Sequence, residues 1–366
     1  RTSRRRRRSR YTVVVDVERQ AKGRIAHGQS SRSTSAGMLP VAASCSRWLV
    51  IGTVLLTGGH LVGVPALTAP VILAIAGAGF VLGVPHGAVD HVMAARLSRG
   101  RPIVLIASAY GGVAAAAWAL MAWAGPIALV TVVTLSALHF GLGELEVSRR
   151  LTGWRPDRLT AAAIVVAGCG ALLLPLARSG DQLSEVAAAV SPGLASLLGA
   201  TALQIGLVVT WLVAALFALS ASLRAGHSAV ALDIVLIAVL GMVAPPLVAF
   251  AVWFGGWHAL RHSARMLTVE PGCAALLADG RRRAAARRLI RLGAWPTVAA
   301  LATIAALGWF TVAASDPTVV LAEVLRLLLA LTVPHMVVVL WLDRTDDPEG
   351  AVVSDRRRAR SAGRRS

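Results

Sequence analysis

Apolar residues along this chain come in long unbroken runs, separated by short stretches that are polar or carry glycine and proline. The runs show neither the alternation of a half-buried strand nor the single apolar stripe of a surface helix. Ten runs stand out, at residues 42–62, 66–93, 102–124, 126–147, 158–178, 200–223, 228–246, 247–268, 292–314 and 317–342. About 20 apolar residues in a helix match the hydrocarbon thickness of a bilayer. The pattern predicts an all-α fold, a polytopic transmembrane helical bundle of roughly eight to ten spans. Pro245-Pro246 marks either a kink within, or a turn between, the seventh and eighth runs.

The polar positions divide the chain into three parts. Residues 1–37 are arginine-rich, lack apolar periodicity and are expected to be a disordered basic tail. Residues 38–345 form the transmembrane unit, and 346–366 a second basic tail. The first methionine is Met38, and no function is read into the residues before it beyond a polybasic arm that would suit anionic lipid. No cleavable signal peptide is legible, because the run beginning at Leu39 is long enough to span.

Charge fixes the expected orientation. With the amino-terminal tail inside, the inside loops are Arg96–Arg101, Arg149–Arg158, the Arg224 loop, the Arg281–Arg291 loop and the tail from Arg344. The outside connections hold no Arg or Lys, with Arg178 at the outer edge of the fifth run as the one borderline case. This agrees with the positive-inside rule and predicts an even number of spans, both termini cytoplasmic, in the cell membrane. Trp48, Trp123, Trp295, Trp309 and Trp341 fall near span ends, as an aromatic belt requires.

Composition supports the class and excludes others. The mean hydropathy is +0.68. Of the 366 residues 56% are hydrophobic and only 15% charged, against about a quarter in soluble domains. The net charge of +19 is concentrated in tails and loops, so it serves orientation and not nucleic-acid binding. Cys45, Cys169 and Cys273 are scattered, which gives no disulfide framework and no thiolate metal site. Lys22, in the tail, is the only lysine, so a retinal-binding opsin with a Schiff-base lysine in a membrane helix is excluded.

The candidate chemistry lies in the histidines. In Trp257-His258-Ala259-Leu260-Arg261-His262 two imidazoles stand four residues apart, on one helix face and within reach of one metal ion. The bland alternative is two histidines snorkelling at a helix end. His86, His139, the His258/His262 pair and His335 all lie late in even-numbered runs. His86, His139 and His335 precede the first inside arginine (Arg96, Arg149, Arg344) by nearly the same interval. At ~1.5 Å rise per residue the interval is roughly 13–15 Å, which puts the rings at one depth in the inner half of the membrane. Imidazole suits Zn, Cu, Fe and Ni, and without thiolates a structural zinc site is disfavoured. Four histidines leave open positions on Fe(II), and the apolar surroundings imply a lipid-soluble substrate.

Each ring has a neighbourhood. Pro85 and Gly87 flank His86 and suggest a loosened helix lining a cavity. Asp90 is placed to orient that ring or a neighbour's, and His91 points to a different face, to the pocket or the outer shell. Glu144 and Glu146 follow His139; Glu144 is read as a group of the outer shell or pocket, and the plain alternative for both is a solvated helix end. His335, directly after Pro334, is read as a fifth polar group of the pocket, below the other four as a ligand. Asp233 is the one other carboxylate within reach, with an interfacial acid as its plain reading; Glu323 and Arg326 read as a local ion pair. His27, His60 and His227 receive no role.

Pro85-His86-Gly87-Ala88-Val89-Asp90-His91, His139-Phe140-Gly141, Trp257 to His262 and Pro334-His335-Met336 together look like the Brp/Blh family of β-carotene 15,15'-dioxygenases. Any one motif is weak; the four in this order are specific, and the resemblance covers about residues 45–342. It implies a multi-pass enzyme holding non-haem Fe(2+) through His86, His139, His258 and His262. It further implies cleavage of the central double bond of β-carotene by O2 to two all-trans-retinal, a product that supplies a microbial rhodopsin. Where the family often has Asp after its His-Phe-Gly motif, this chain has Glu144. The competing classes are a metal or proton transporter, which would want carboxylates through both membrane halves, an oxygenase of another carotenoid, and a desaturase or hydroxylase. The last would need more histidine boxes than the single His258/His262 spacing supplies.

Overall fold

A computed structural model of the chain describes residues 37–63, 67–98, 101–179, 188–189, 199–312 and 317–345. Both tails lie outside these residues, and with them the expectation of disorder. Every element of the described chain is helical. In order they are α1 (Met38–Leu61), α2 (Ala69–Gly83), a 3-10 turn (Val84–Gly87), α3 (Asp90–Leu97), α4 (Ile103–Thr152), α5 (Arg158–Arg178), α6 (Thr201–Arg224) and α7 (Ser228–Val243). There follow α8 (Pro246–Ala251), a π-helix (Val252–Ala259), α9 (Leu260–Val269), α10 (Pro271–Ala278), α11 (Arg282–Val312) and α12 (Pro317–Thr345). Seven helices among the described residues are long and apolar enough to cross a membrane. The protein is a polytopic helical bundle.

Within the described residues each of the ten apolar runs is helical, and the differences lie in how they are broken. The third and fourth runs form the two arms of α4, which meet at Gly125 with φ 51° and ψ −118°. Only a residue without a Cβ takes that conformation cheaply, and Pro126, lacking an N–H, starts the second arm without losing a hydrogen bond. The seventh run stops at Val243: Ala244 and Pro245 are extended and α8 starts at Pro246, so the proline pair is a break between helices and not a kink. Arg178 gives that break its cap by donating from Nη1 to the carbonyls of Gly241 (2.8 Å) and Ala244 (2.9 Å). The one arginine at odds with the charge pattern thus satisfies acceptors that a helix end leaves orphaned. The ninth run is a correction: helix begins at Arg282, so most of the expected Arg281–Arg291 loop is the first turns of α11.

Most helices are apolar on every side, as spans facing lipid must be, and leave large side chains such as Leu55, Leu73, Leu120 and Val213 exposed. Exposed Trp48, Trp123, Trp295, Trp309 and Trp341 agree with the belt reading. The segment Pro246–Val269 is the reverse, buried among the others. Trp253 and Trp257 are fully enclosed and share a core with Val50, Phe140, Leu240 and Val248. The π-helix approaches α2 backbone to backbone. A Cβ on Gly255 would stand 2.2 Å from the carbonyl oxygen of Gly79, and one on Gly79 would stand 2.4 Å from that of Ala251. Small residues at such a crossing let membrane helices touch without side chains between them. This contact seats the 3-10 turn beside the π-helix.

Outside the spans, Glu270 joins α9 to α10 and clamps α11. Its carboxylate accepts from Cys273 N (2.6 Å) and from Arg288 Nε and Nη2 (both 2.9 Å). The hydrogen bonds from Arg288 hold the Glu270 carboxyl at about 2, below its ordinary 4.5. A depressed carboxyl pKa stabilises the fold above the unfolded value and loses that contribution as pH falls through the folded one. Glu270→Gln is therefore expected to lower the midpoint of thermal unfolding at pH 7. The deficit should shrink between about pH 4.5 and about 2, as the carboxyl protonates first in the unfolded chain and then in the folded one, a trend that paired melts over pH would read.

Candidate metal centre

Five histidines from four places in the chain meet in the interior. The first stands on the 3-10 turn. Pro85 lacks the N–H that would extend α2, the chain tightens through Val84–Gly87, and His86 turns inward with Nδ1 bonded to the carbonyl of Gly83. His139 comes from the second arm of α4, His335 from α12. His258 lies near the end of the π-helix and His262 follows on α9. A π turn is wider than an α turn and is frequent at functional sites. Here it buries Trp257, His258 and Ala259 in succession and brings the His258 and His262 rings to 6.1 Å, nearly parallel at 20°.

The remaining ring pairs close the cluster. His86 lies 5.2 Å from His258, 5.6 Å from His262 and 4.8 Å from His335, centroid to centroid. His139 lies 5.3 Å from His258 and 5.0 Å from His335, and His262 lies 5.3 Å from His335. All five are buried. Nε2 of His139, His258, His262 and His335 is enclosed and has no hydrogen-bond partner. A buried polar atom without a partner costs free energy, and four converging ones need a common explanation. A metal ion would supply it. His86, His258 and His335 offer donor atoms within 4.8 Å of one another, as do Asp90, His262 and His335. A neutral nitrogen-donor set suits Zn, Cu, Fe or Ni in kind, so the residues fit a transition metal without singling one out.

The structure thus gathers His86, His139, His258, His262 and His335, as the common depth predicted, with His335 as close to its neighbours as the other four. Asp90 does serve a neighbour's ring, that of His335, with Nδ1 to Oδ2 at 2.7 Å. The same oxygen accepts from the Tyr110 hydroxyl at 3.1 Å. His91 stands apart: half-buried, its Nδ1 bonds the carbonyl of Ala88 at 2.8 Å, and none of the ring contacts that knit the cluster includes it. His60 accepts from the backbone of Leu67 and His227 stacks on Trp154 at 4.7 Å, both remote in role. Glu323 and Arg326 form the local ion pair expected of them. His27 lies outside the described residues.

Asp233 is a correction, and Glu144 takes the outer-shell reading over the solvated one. Neither is a solvated or interfacial acid; both are buried in a charged network behind the histidines. Its centre is Arg261, 1% exposed. Arg261 donates to Glu144 Oε2 (3.2 Å), to both oxygens of Asp233 (3.0 and 3.3 Å) and to Ser46 Oγ (2.8 Å). Its guanidinium carbon lies 3.5 Å from the Trp257 ring centroid, and the Trp257 indole donates to Glu144 Oε1 at 2.8 Å. Arg47 closes the charge balance on Asp233 at 2.7 Å. Two carboxylates face two guanidiniums, so the cluster of charge is neutral as a whole. Trp257 and Arg261 each precede a site histidine, so pinning them fixes the rotation at which His258 and His262 are presented. Glu146, by contrast, is half-buried and pairs with Arg150 at 2.6 Å. The signal for the network is present in the sequence: an arginine between two histidines at membrane depth is costly unless paired.

Two apolar cavities adjoin the rings, and a third lies beyond Phe140 and Phe254. One of about 340 Å³ is lined by His139, His258, His262, Leu135, Met336 and Leu340, and reaches the Arg265–Asp343 ion pair. A second of about 120 Å³ touches His86, His139, His335, Tyr110 and Phe140. A third of about 270 Å³ continues from Phe140 and Phe254 past Leu328 to Leu325 and Ser179. His139 is shared by the first two, and Phe140, Phe254, Leu328 and Thr332 by the last two.

Fold and site define a multi-pass membrane protein with a buried imidazole cluster opening onto apolar cavities. The chain belongs to the β-carotene 15,15'-dioxygenase family, whose model matches residues 78–343 and so includes all five histidines. It is 30% identical over 291 residues to the probable β-carotene 15,15'-dioxygenase Blh of Halobacterium salinarum, covering 72% of this chain and 82% of that protein. No solved structure matches the chain.

Proposed function

We propose that this protein uses Fe(II) and O2 to cleave the central 15,15' double bond of β-carotene, giving two all-trans-retinal. The observation that carries the reading is the buried imidazole cluster with unpartnered Nε2 atoms beside a row of apolar cavities. His86, His139, His258 and His262 would hold the iron, which when bound supplies the place where dioxygen is activated next to the polyene. Both oxygen atoms enter the products: one C=C bond breaks and two C=O bonds form, with no further reductant. The residues do the rest. The apolar linings bind the hydrocarbon and exclude water, and Phe140 and Phe254 narrow the passage beside the rings.

The cavity row supports central cleavage. On α12 its lining runs from Leu325 to Asp343, with His335 between. At ~1.5 Å per residue His335 stands roughly 15 Å from one end and roughly 12 Å from the other. A rod-like substrate filling the row would present its middle to the cluster. The catalytic bundle, 38–345, is proposed to lie in the cell membrane with both tails cytoplasmic. The retinal it releases would suit a microbial rhodopsin.

Expression in a β-carotene-accumulating bacterium tests the reading. Loss of colour with retinal as the extracted product is expected. Retained colour with the protein present in the membrane would overturn the β-carotene assignment, and a longer apocarotenal would overturn central cleavage while keeping the reaction class.

A further inference from the structure

We propose that His335 is a fifth ligand of the metal, positioned for that task by Asp90 and Tyr110. The inference rests on the proposed metal site. The His335 ring, 4% exposed, is the neighbour of three site histidines, at 4.8 Å from His86, 5.0 Å from His139 and 5.3 Å from His262. It is also the residue that the two three-donor groups of the described chain have in common.

The hydrogen bonds assign its two nitrogens. Nδ1 donates to Asp90 Oδ2 at 2.7 Å, and Asp90 is itself 1% exposed and accepts from Tyr110. With Nδ1 carrying the proton, Nε2 keeps its lone pair. That atom is fully enclosed and has no hydrogen-bond partner. An acceptor aimed at a knot of imidazoles has no protein donor to meet, and a cation is what it lacks. Carboxylate–histidine–metal is the arrangement by which proteins fix the tautomer and raise the basicity of a ligating ring. A neutral pocket histidine would leave the Nε2 lone pair buried and unsatisfied, and a protonated His335 in a simple ion pair with Asp90 would leave a buried Nε2–H unsatisfied.

The 3-10 turn is shaped around the pair. A Cβ on Gly87 would lie 3.3 Å from His335 Nδ1, close enough that the ring would have to shift by a few tenths of an ångström, and in ordinary contact with Asp90 Oδ2 at 3.5 Å. The same turn carries His86, so one short stretch delivers one ligand and clears room for another. Asp90 and His335 are 245 residues apart in sequence, which is why the pairing is invisible before folding.

Metal affinity, read apart from turnover, is the test. The purified full chain is titrated with Fe(II) or Co(II) against a competing chelator. His335→Gly is expected to weaken binding at least ~10-fold and to alter the visible spectrum of the cobalt form, with added imidazole restoring both. Asp90→Asn, which keeps shape, is expected to weaken binding about 10-fold in the wild-type background and to add nothing to His335→Gly. Wild-type affinity and spectrum in His335→Gly, or equal effects of Asp90→Asn in both backgrounds, would overturn the fifth-ligand assignment alone. Should His335→Gly fail to fold, unchanged affinity in Asp90→Asn overturns it. A wild-type protein that takes up no metal would overturn the metal reading beneath it.

Discussion

His258→Ala is expected to leave a β-carotene-accumulating host coloured, with retinal at least ~100-fold below the unmutated strain, because outer-shell changes alone cost metal sites roughly 10–100-fold. Its ring is flanked by those of His86 and His139 at 5.2 and 5.3 Å and stacked on Trp253 at 5.3 Å. Removing it takes away a donor and opens a void that the enclosed Trp253 and Trp257 cannot fill without moving. Iron per protein should fall with the retinal. His60→Ala, which changes an exposed residue that accepts from the Leu67 backbone, should leave both at wild-type values. Normal iron and turnover in His258→Ala would sink the assignment of this ring as a ligand.

Arg261→Met is expected to destabilise the bundle strongly. It removes the cation shared by Glu144 and Asp233 and leaves Glu144 buried with the Trp257 indole as its remaining donor in the network. Breaking a buried ion pair from one side costs about 3–5 kcal/mol, since the surviving charge stays desolvated. For a chain this size that lowers the unfolding midpoint by on the order of 10 °C. Arg261→Met combined with Glu144→Gln should recover part of the stability, because the stranded charge is gone. Two equally unstable proteins would mean that the network does not work through charge. A guanidinium offers a metal no lone pair. Loss of iron in Arg261→Met would therefore mark the arginine as a positioning residue for His258 and His262.

Glu144 shows where reading by position stays ambiguous. It follows His139 toward a loop rich in arginine, so a linear account allows both the outer shell of the site and solvent. Three-dimensional packing turns it toward α9 and the end of the π-helix, where Arg261 and Trp257 wait. Asp233 escapes a linear account for the same reason. His335 ranks below the other histidines in the sequence because nothing there measures how near α12 comes to the 3-10 turn. The π-helix, for its part, has no pattern that an α-helical reading would notice.

The sequence by itself determined the ten apolar helical runs and the shared depth of the histidines. Both are local quantities: in lipid each span must satisfy its own backbone hydrogen bonds, and a fixed rise per residue converts distance along the chain into depth. Tertiary structure alone decided what lies beside what. The rotation of each helix, the glycine contact that sets the π-helix against α2, and the pairings of Asp90 with His335 and of Arg261 with Glu144 and Asp233 depend on packing between distant segments. A one-dimensional pattern of polarity carries no information about the azimuth at which two helices meet.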